Sequence, residues 1–81
     1  MIRMGKESKL SPEEVIDKAV DFFGKKWGME TEESGDCCAR FEGGGGHVYV
    51  DTAGLKGGSG AKVEIQGRQW EPQIKEFMGQ I

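Results

Sequence analysis

The chain has 81 residues and a formal net charge of -3, with 11 Lys+Arg against 14 Asp+Glu. A chain this short buries only about 60% of its unfolded surface. With 36% hydrophobic residues, it is expected to form a modest core with no spare room for a large internal cavity. The acidic balance argues against a surface that tracks phosphates, so neither nucleic acid nor an anionic membrane is expected as a partner.

Residues 1–9 are polar and irregular and read as a flexible N-terminal tail, leaving 10–81 as a single domain. The start lacks the basic-then-apolar pattern of a signal peptide, and no stretch has the length and apolarity of a membrane span. A cytoplasmic location is the expectation. The first helix begins after Leu10: Ser11 is its cap, Pro12 its first residue, and Glu14 completes a capping box. Val15, Ile16, Ala19, Val20, Phe22, Phe23 and Trp27 recur at helical spacing as an apolar stripe. Lys25 and Lys26 suit the carbonyl end, and Gly28 suits the left-handed residue beyond it. A stripe of this kind is core before it is a cofactor site.

Four short strands are expected next. Met29, Thr31 and Glu33 are set opposite Phe41, Ala39 and Cys37 if Ser34-Gly35-Asp36 form a three-residue turn, which places Glu30 beside Arg40. The segment from Cys37 to Asp51 reads as a β-hairpin around Gly43-Gly44-Gly45-Gly46. Alternation puts Cys37, Ala39, Phe41, Val48 and Val50 on one face and Cys38, Arg40, Glu42, His47, Tyr49 and Asp51 on the other. Cys37 and Cys38 are adjacent. Neighbouring Cα atoms lie about 3.8 Å apart, against about 4.4–6.8 Å for a relaxed disulfide, so two reduced thiols are expected. The segment Gly54 to Gly60 lacks the order of a phosphate-binding loop and is followed by a strand, so it reads as a mobile hairpin loop, with a partner-ordered loop as the minority reading. In the last strand, Ala61 to Gln66, Val63 and Ile65 face the core. Matching them to Val50 and Val48 sets Lys62 beside Asp51 and Glu64 beside Tyr49. Pro72 opens a closing helix whose stripe is Ile74, Phe77, Met78 and Ile81, with Trp70 packing where it starts.

The expected fold is therefore two-layer α+β: an N-terminal helix, a four-stranded antiparallel meander and a C-terminal helix, both helices on one sheet face. The layout resembles helix-grip and TATA-box-binding-like arrangements in architecture alone, and fold does not fix function.

Each candidate for chemistry has a plain alternative. Cys38, His47 and Asp51 are possible ligands by type, but His47 lies four residues along the strand from Cys38, about 13 Å at 3.3 Å per residue. Zinc bonds are roughly 2.0–2.3 Å, so no metal site is expected. No cofactor is expected either. Cys38 as a reactive thiol needs neighbours that favour the thiolate, and Glu32 and Asp51 disfavour it. The outer face as a whole, with Arg40, His47, Tyr49, Asp51, Lys62 and Glu64, reads as a docking surface or a plain solvated sheet face, since Arg and Tyr are enriched at interaction hot spots. The leading expectation is a small non-catalytic interaction module working through this face or an edge strand. The alternatives are a thiol-dependent enzyme or redox accessory through Cys38, or a small apolar ligand held between Trp27, Trp70 and the sheet. The fourth strand, with no blocking proline, is expected to pair with a second copy in a homodimer through Ala61 to Gln66.

Overall fold

The structure is a computed structural model that describes residues 2–55 and 60–81. It is α+β, with one antiparallel sheet. In chain order the elements are β1 (Ile2–Ser8), α1 (Pro12–Ala19), a π-helical continuation (Val20–Lys26), β2 (Glu30–Ser34), β3 (Cys38–Gly43), β4 (Gly46–Gly54), β5 (Ala61–Arg68) and α2 (Glu71–Gln80). The sheet has five strands in the order β1-β5-β4-β3-β2. Among the described residues, no helix is long and apolar enough to cross a membrane.

The fifth strand corrects the four-stranded expectation. Residues read as a tail form β1, which pairs antiparallel with β5 from Ile2↔Gly67 to Ser8↔Ala61. Polar residues conceal this strand because its inner face does more than fill core. Ile2 and Met4 pack against the core. Lys6 and Ser8, on the same face, serve the end of α2: Lys6 Nζ donates to the Met78 carbonyl and Ser8 Oγ to the Ile81 carbonyl, each at 2.9 Å. A cation and a hydroxyl there satisfy carbonyls that have no partner within the helix.

Helix α1 starts as its residues dictate. Ser11 accepts from the Glu14 amide and Glu14 accepts from the Ser11 amide, both at 3.2 Å, closing the capping box. Beyond Ala19 the backbone widens, and the Trp27 amide donates to the Phe22 carbonyl five residues back. Phe22 and Phe23 are both buried in this wider segment. Gly28 ends it at φ 69, in the left-handed region that glycine enters without penalty.

The buried residues of α1, the π-helical segment, α2 and one sheet face form a single cluster. At its centre the Phe23 ring lies 5.4 Å from Phe41 and 5.3 Å from Phe77. Trp27 and Trp70, the walls of the expected apolar-ligand site, meet edge-on at 6.2 Å, and Trp27 is 39% exposed.

The β3–β4 register is the expected one, with Phe41↔Val48, Ala39↔Val50 and Cys38↔Asp51. The turn is tighter than four glycines: Gly43 pairs with Gly46, and Gly44 and Gly45 turn the chain at φ 57 and 80. Two positive φ values are the signature of the tight turn that matches strand twist. Trp70 Nε1 donates to the Gly43 carbonyl at 2.9 Å. A Cβ on Gly46 would collide with the Arg68 carbonyl, so glycine there lets the β5–α2 connection pass close by.

Both outer pairings differ from expectation. On one side β2 slips against β3, giving Glu30↔Glu42 and Thr31↔Phe41, then Glu33↔Arg40 after a bulge at Glu32. On the other, Val50 faces Ile65 and Thr52 faces Val63, two residues from the expected match. Buried Thr52 takes a core-face position by donating its Oγ1 to the Cys37 carbonyl at 2.7 Å. Gly67 stands opposite Val48 and leaves space for Ile74. The β4–β5 shift is even, so the faces there stay as assigned while the cross-strand partners change. The bulge in β2, by contrast, moves Glu33 from the expected core-side set to the outer face opposite Arg40.

The expected dimer edge is also corrected. Strand β5 lies between β1 and β4, so Ala61 to Gln66 have no free edge. The edges are β1 and β2, and both carry charge, Arg3, Lys6 and Glu7 on one and Glu30, Glu32 and Glu33 on the other, a feature that discourages pairing with another chain. Within the loop expected over Gly54 to Gly60, residues 56–59 lie outside the described residues. At its described ends the Leu55 amide donates to the Gly60 carbonyl at 3.2 Å.

Candidate functional site

The register lays the outer face out in rows. One row runs Arg3, Gln66, Tyr49, Arg40, Glu33 across all five strands. In it the Arg40 guanidinium sits 6.0 Å from the Tyr49 ring centroid and 3.8 Å from Glu33. Arg40 thus has Glu33 as its partner where Glu30 was expected. The neighbouring row runs Gly5, Glu64, Asp51, Cys38. Asp51 therefore faces Glu64, a like charge, and Glu64 turns to Arg3 at 3.4 Å. Lys62 stands between Glu7 and Ala53, and Gln66 takes the place beside Tyr49 expected for Glu64.

The sequence-derived site residues thus fall into separate groups. His47 pairs with Glu42 and Arg68 and lines a shallow open hollow with Glu30 and the glycine turn. Close to that end, the carboxylates of Glu42 and then Glu30 hold the exposed Glu32 carboxyl above the usual carboxylate range, with Arg40 opposing. Arg40 and Tyr49 occupy the middle. Cys38 and Asp51 lie at the opposite end of the hairpin from His47, as their spacing on β3 and β4 requires.

At that far end the structure assembles a group that sequence reasoning divided. Cys37 precedes β3, and the alternation that holds from Cys38 onward does not bury it. It is exposed and Cys38 is half-buried. The Cys37 carbonyl is tied to β4 by the Thr52 amide at 2.8 Å as well as by Thr52 Oγ1. The Gly35 amide donates to the Cys38 carbonyl at 2.9 Å, closing the preceding turn. So anchored, the two cysteines are joined as a vicinal disulfide, which corrects the expectation of two separate thiols. Asp51 Oδ1 lies 3.4 Å from Cys38 Sγ, a distance at which a Cys38 thiol donates to the carboxylate in the reduced form. The two sulfurs and an Asp51 oxygen all lie within 4.8 Å of one another.

Cys37 is the residue that strict alternation misplaced. The signal that could have found it is its position directly after Ser34-Gly35-Asp36, where the chain leaves a turn and the strand period does not yet apply. Compared with protein-family models, curated proteins and solved structures, the chain matches none.

Proposed function

We propose that the protein is a small thiol–disulfide module whose working element is the Cys37–Cys38 pair. The observation that carries this reading is that the pair spans a sequence separation of 1 while lying at the surface. A disulfide stabilises chiefly by closing a long loop in the unfolded chain. A bridge between neighbours closes almost none, so holding the fold together does not account for it. Exposure suits exchange instead, and because the Asp51 carboxylate beside Cys38 disfavours a thiolate there, the exposed Cys37 is the attacking thiol.

The step balances with a low-molecular-weight disulfide of the glutathione type as oxidant. The exposed Cys37 thiolate attacks one sulfur of the small disulfide, releasing one thiol and leaving a mixed disulfide on Cys37. Cys38 then attacks Cys37 Sγ, its proton within reach of Asp51, and displaces the second thiol. Two electrons pass from the protein dithiol to the small disulfide. Equilibration in glutathione buffers of stepped ratio, followed by alkylation and intact-mass measurement, tests this. A single two-electron transition is expected, with a mixed disulfide trapped on Cys37 in the Cys38→Ser variant. Thiols that persist across the whole series, or bridges between chains only, would overturn it.

A second reading, docking of a second copy through the open face, is favoured by the Arg40–Tyr49 stack at its centre. Light scattering across a concentration series decides it. A dimer lost on combining Arg40→Ala with Tyr49→Ser supports the reading, and a monomer throughout removes it.

A further inference from the structure

We infer that Cys37, Cys38 and Asp51, in the dithiol state, bind one thiophilic divalent cation of the zinc and cadmium type. The donor set is two thiolates and one carboxylate oxygen, mutually within 4.8 Å. A tetrahedral ion with metal–sulfur bonds of about 2.3 Å holds two sulfurs roughly 3.8 Å apart. Sulfurs close enough to bond reach that spacing by small side-chain rotations once reduced. Three protein donors leave a fourth position for water, as at open zinc sites. Thiolates select soft and borderline ions, whereas magnesium and calcium require a shell of oxygens.

The frame that places these donors is rigid. Asp51 is fixed opposite Cys38 by the β3–β4 ladder, and the Cys37 carbonyl is held by both donors of Thr52. Glu64, directly across from Asp51, is paired with Arg3 at 3.4 Å, which leaves the Asp51 carboxylate to the sulfurs. His47, the ligand type that a search of the sequence favours, takes no part, since it pairs with Glu42 four residues from Cys38 along β3. Oxidation removes both thiolates, so the ion and the disulfide exclude each other.

Cadmium titration of the phosphine-reduced protein, read by thiolate-to-cadmium ultraviolet absorption and by equilibrium dialysis, tests the site. One cadmium per chain is expected for the reduced protein and none for the oxidised protein. The absorption should fall sharply in Cys37→Ser and Cys38→Ser. Asp51→Asn should weaken affinity roughly ten- to a hundredfold, at least the range seen when the support of a metal ligand is removed, while absorption per bound ion stays constant. Circular dichroism confirms that each variant is folded. Absence of the absorption in the reduced protein, an unchanged affinity in Asp51→Asn, or one ion shared by two chains would overturn the inference. Reversible oxidation without cadmium binding removes this inference alone, and binding without reversible oxidation removes only the thiol–disulfide reading.

Discussion

The two ends of the β3–β4 hairpin use opposite strategies. At the glycine end, Gly44 and Gly45 turn the chain, Trp70 donates to the Gly43 carbonyl, and the β5–α2 connection passes against Gly46. That end is held from several directions, and its polar side chains are His47, Arg68 and the Glu30 and Glu42 carboxylates, with no sulfur among them. At the cysteine end, an exposed and a half-buried sulfur stand beside a carboxylate, anchored by the β3–β4 ladder, by both donors of Thr52 and by the Gly35 amide. The contrast teaches that the hairpin's main packing and its sulfur–carboxylate group are spatially separated. The core face and glycine turn carry the fold, and on the proposed reading this leaves the cysteine end to change covalent state.

The hardest test of that separation is Phe41→Ala. Phe41 is fully buried against Phe23, and its loss should cost about 3–5 kcal/mol, a large part of a small domain's stability. Denaturant unfolding measures it, and a near-native midpoint would place the load of the fold elsewhere. Gly46→Ala comes next. Its methyl would meet backbone, where nothing flexible can yield, so a loss of about 1–3 kcal/mol is expected from overpacking. Thermal unfolding unchanged from the parent would show that the close passage of Arg68 and Gln69 is not a constraint.

The cysteine end should behave in the opposite way. Replacing either cysteine by serine, or reducing the pair, should leave stability within about 0.5 kcal/mol, the range for surface changes outside special features. A larger loss in the same unfolding assay would make the bridge structural and end the contrast. Glu32→Gln tests the smallest effect. Because Glu42 and Glu30 raise the Glu32 pKa in the folded protein, the folded chain holds a proton there at pH values where the unfolded chain has lost it. Stability from this group therefore falls as pH rises from the ordinary carboxylate range through the raised pKa, and repulsion persists above it. The variant should be slightly more stable at neutral pH, with the gain shrinking in high salt. A neutral-pH melting temperature below the parent's would reverse the sign.

Much of the site's frame was legible because it depends on local rules. Period-two alternation assigned Ala39, Phe41, Val48 and Val50 to the core and set Cys38 opposite Asp51. Capping chemistry placed the start of α1 at Ser11. What alternation cannot do is say where a strand begins. It carried Cys37 inward one residue before β3 starts, and so hid the one partner that brings Cys38 and Asp51 together as a three-donor group.

By itself, then, the sequence determined the α+β class, the two faces of the central hairpin from Cys38 onward and the start of the first helix, since each follows from spacing within a few residues. The π-helical turn after Ala19 was not legible in it. Only the tertiary structure decided the place of β1, whose Lys6 and Ser8 find their use against α2, more than 70 residues along the chain. It also decided the pairing at both sides of the hairpin, where a bulge at Glu32 and the space Gly67 leaves for Ile74 outweighed the matching of opposite charges. Exposed charge pairs contribute less than about 1 kcal/mol, whereas filling a core without a clash decides several. Register is therefore set by packing, and the surface charges, and with them the neighbours of Asp51, follow.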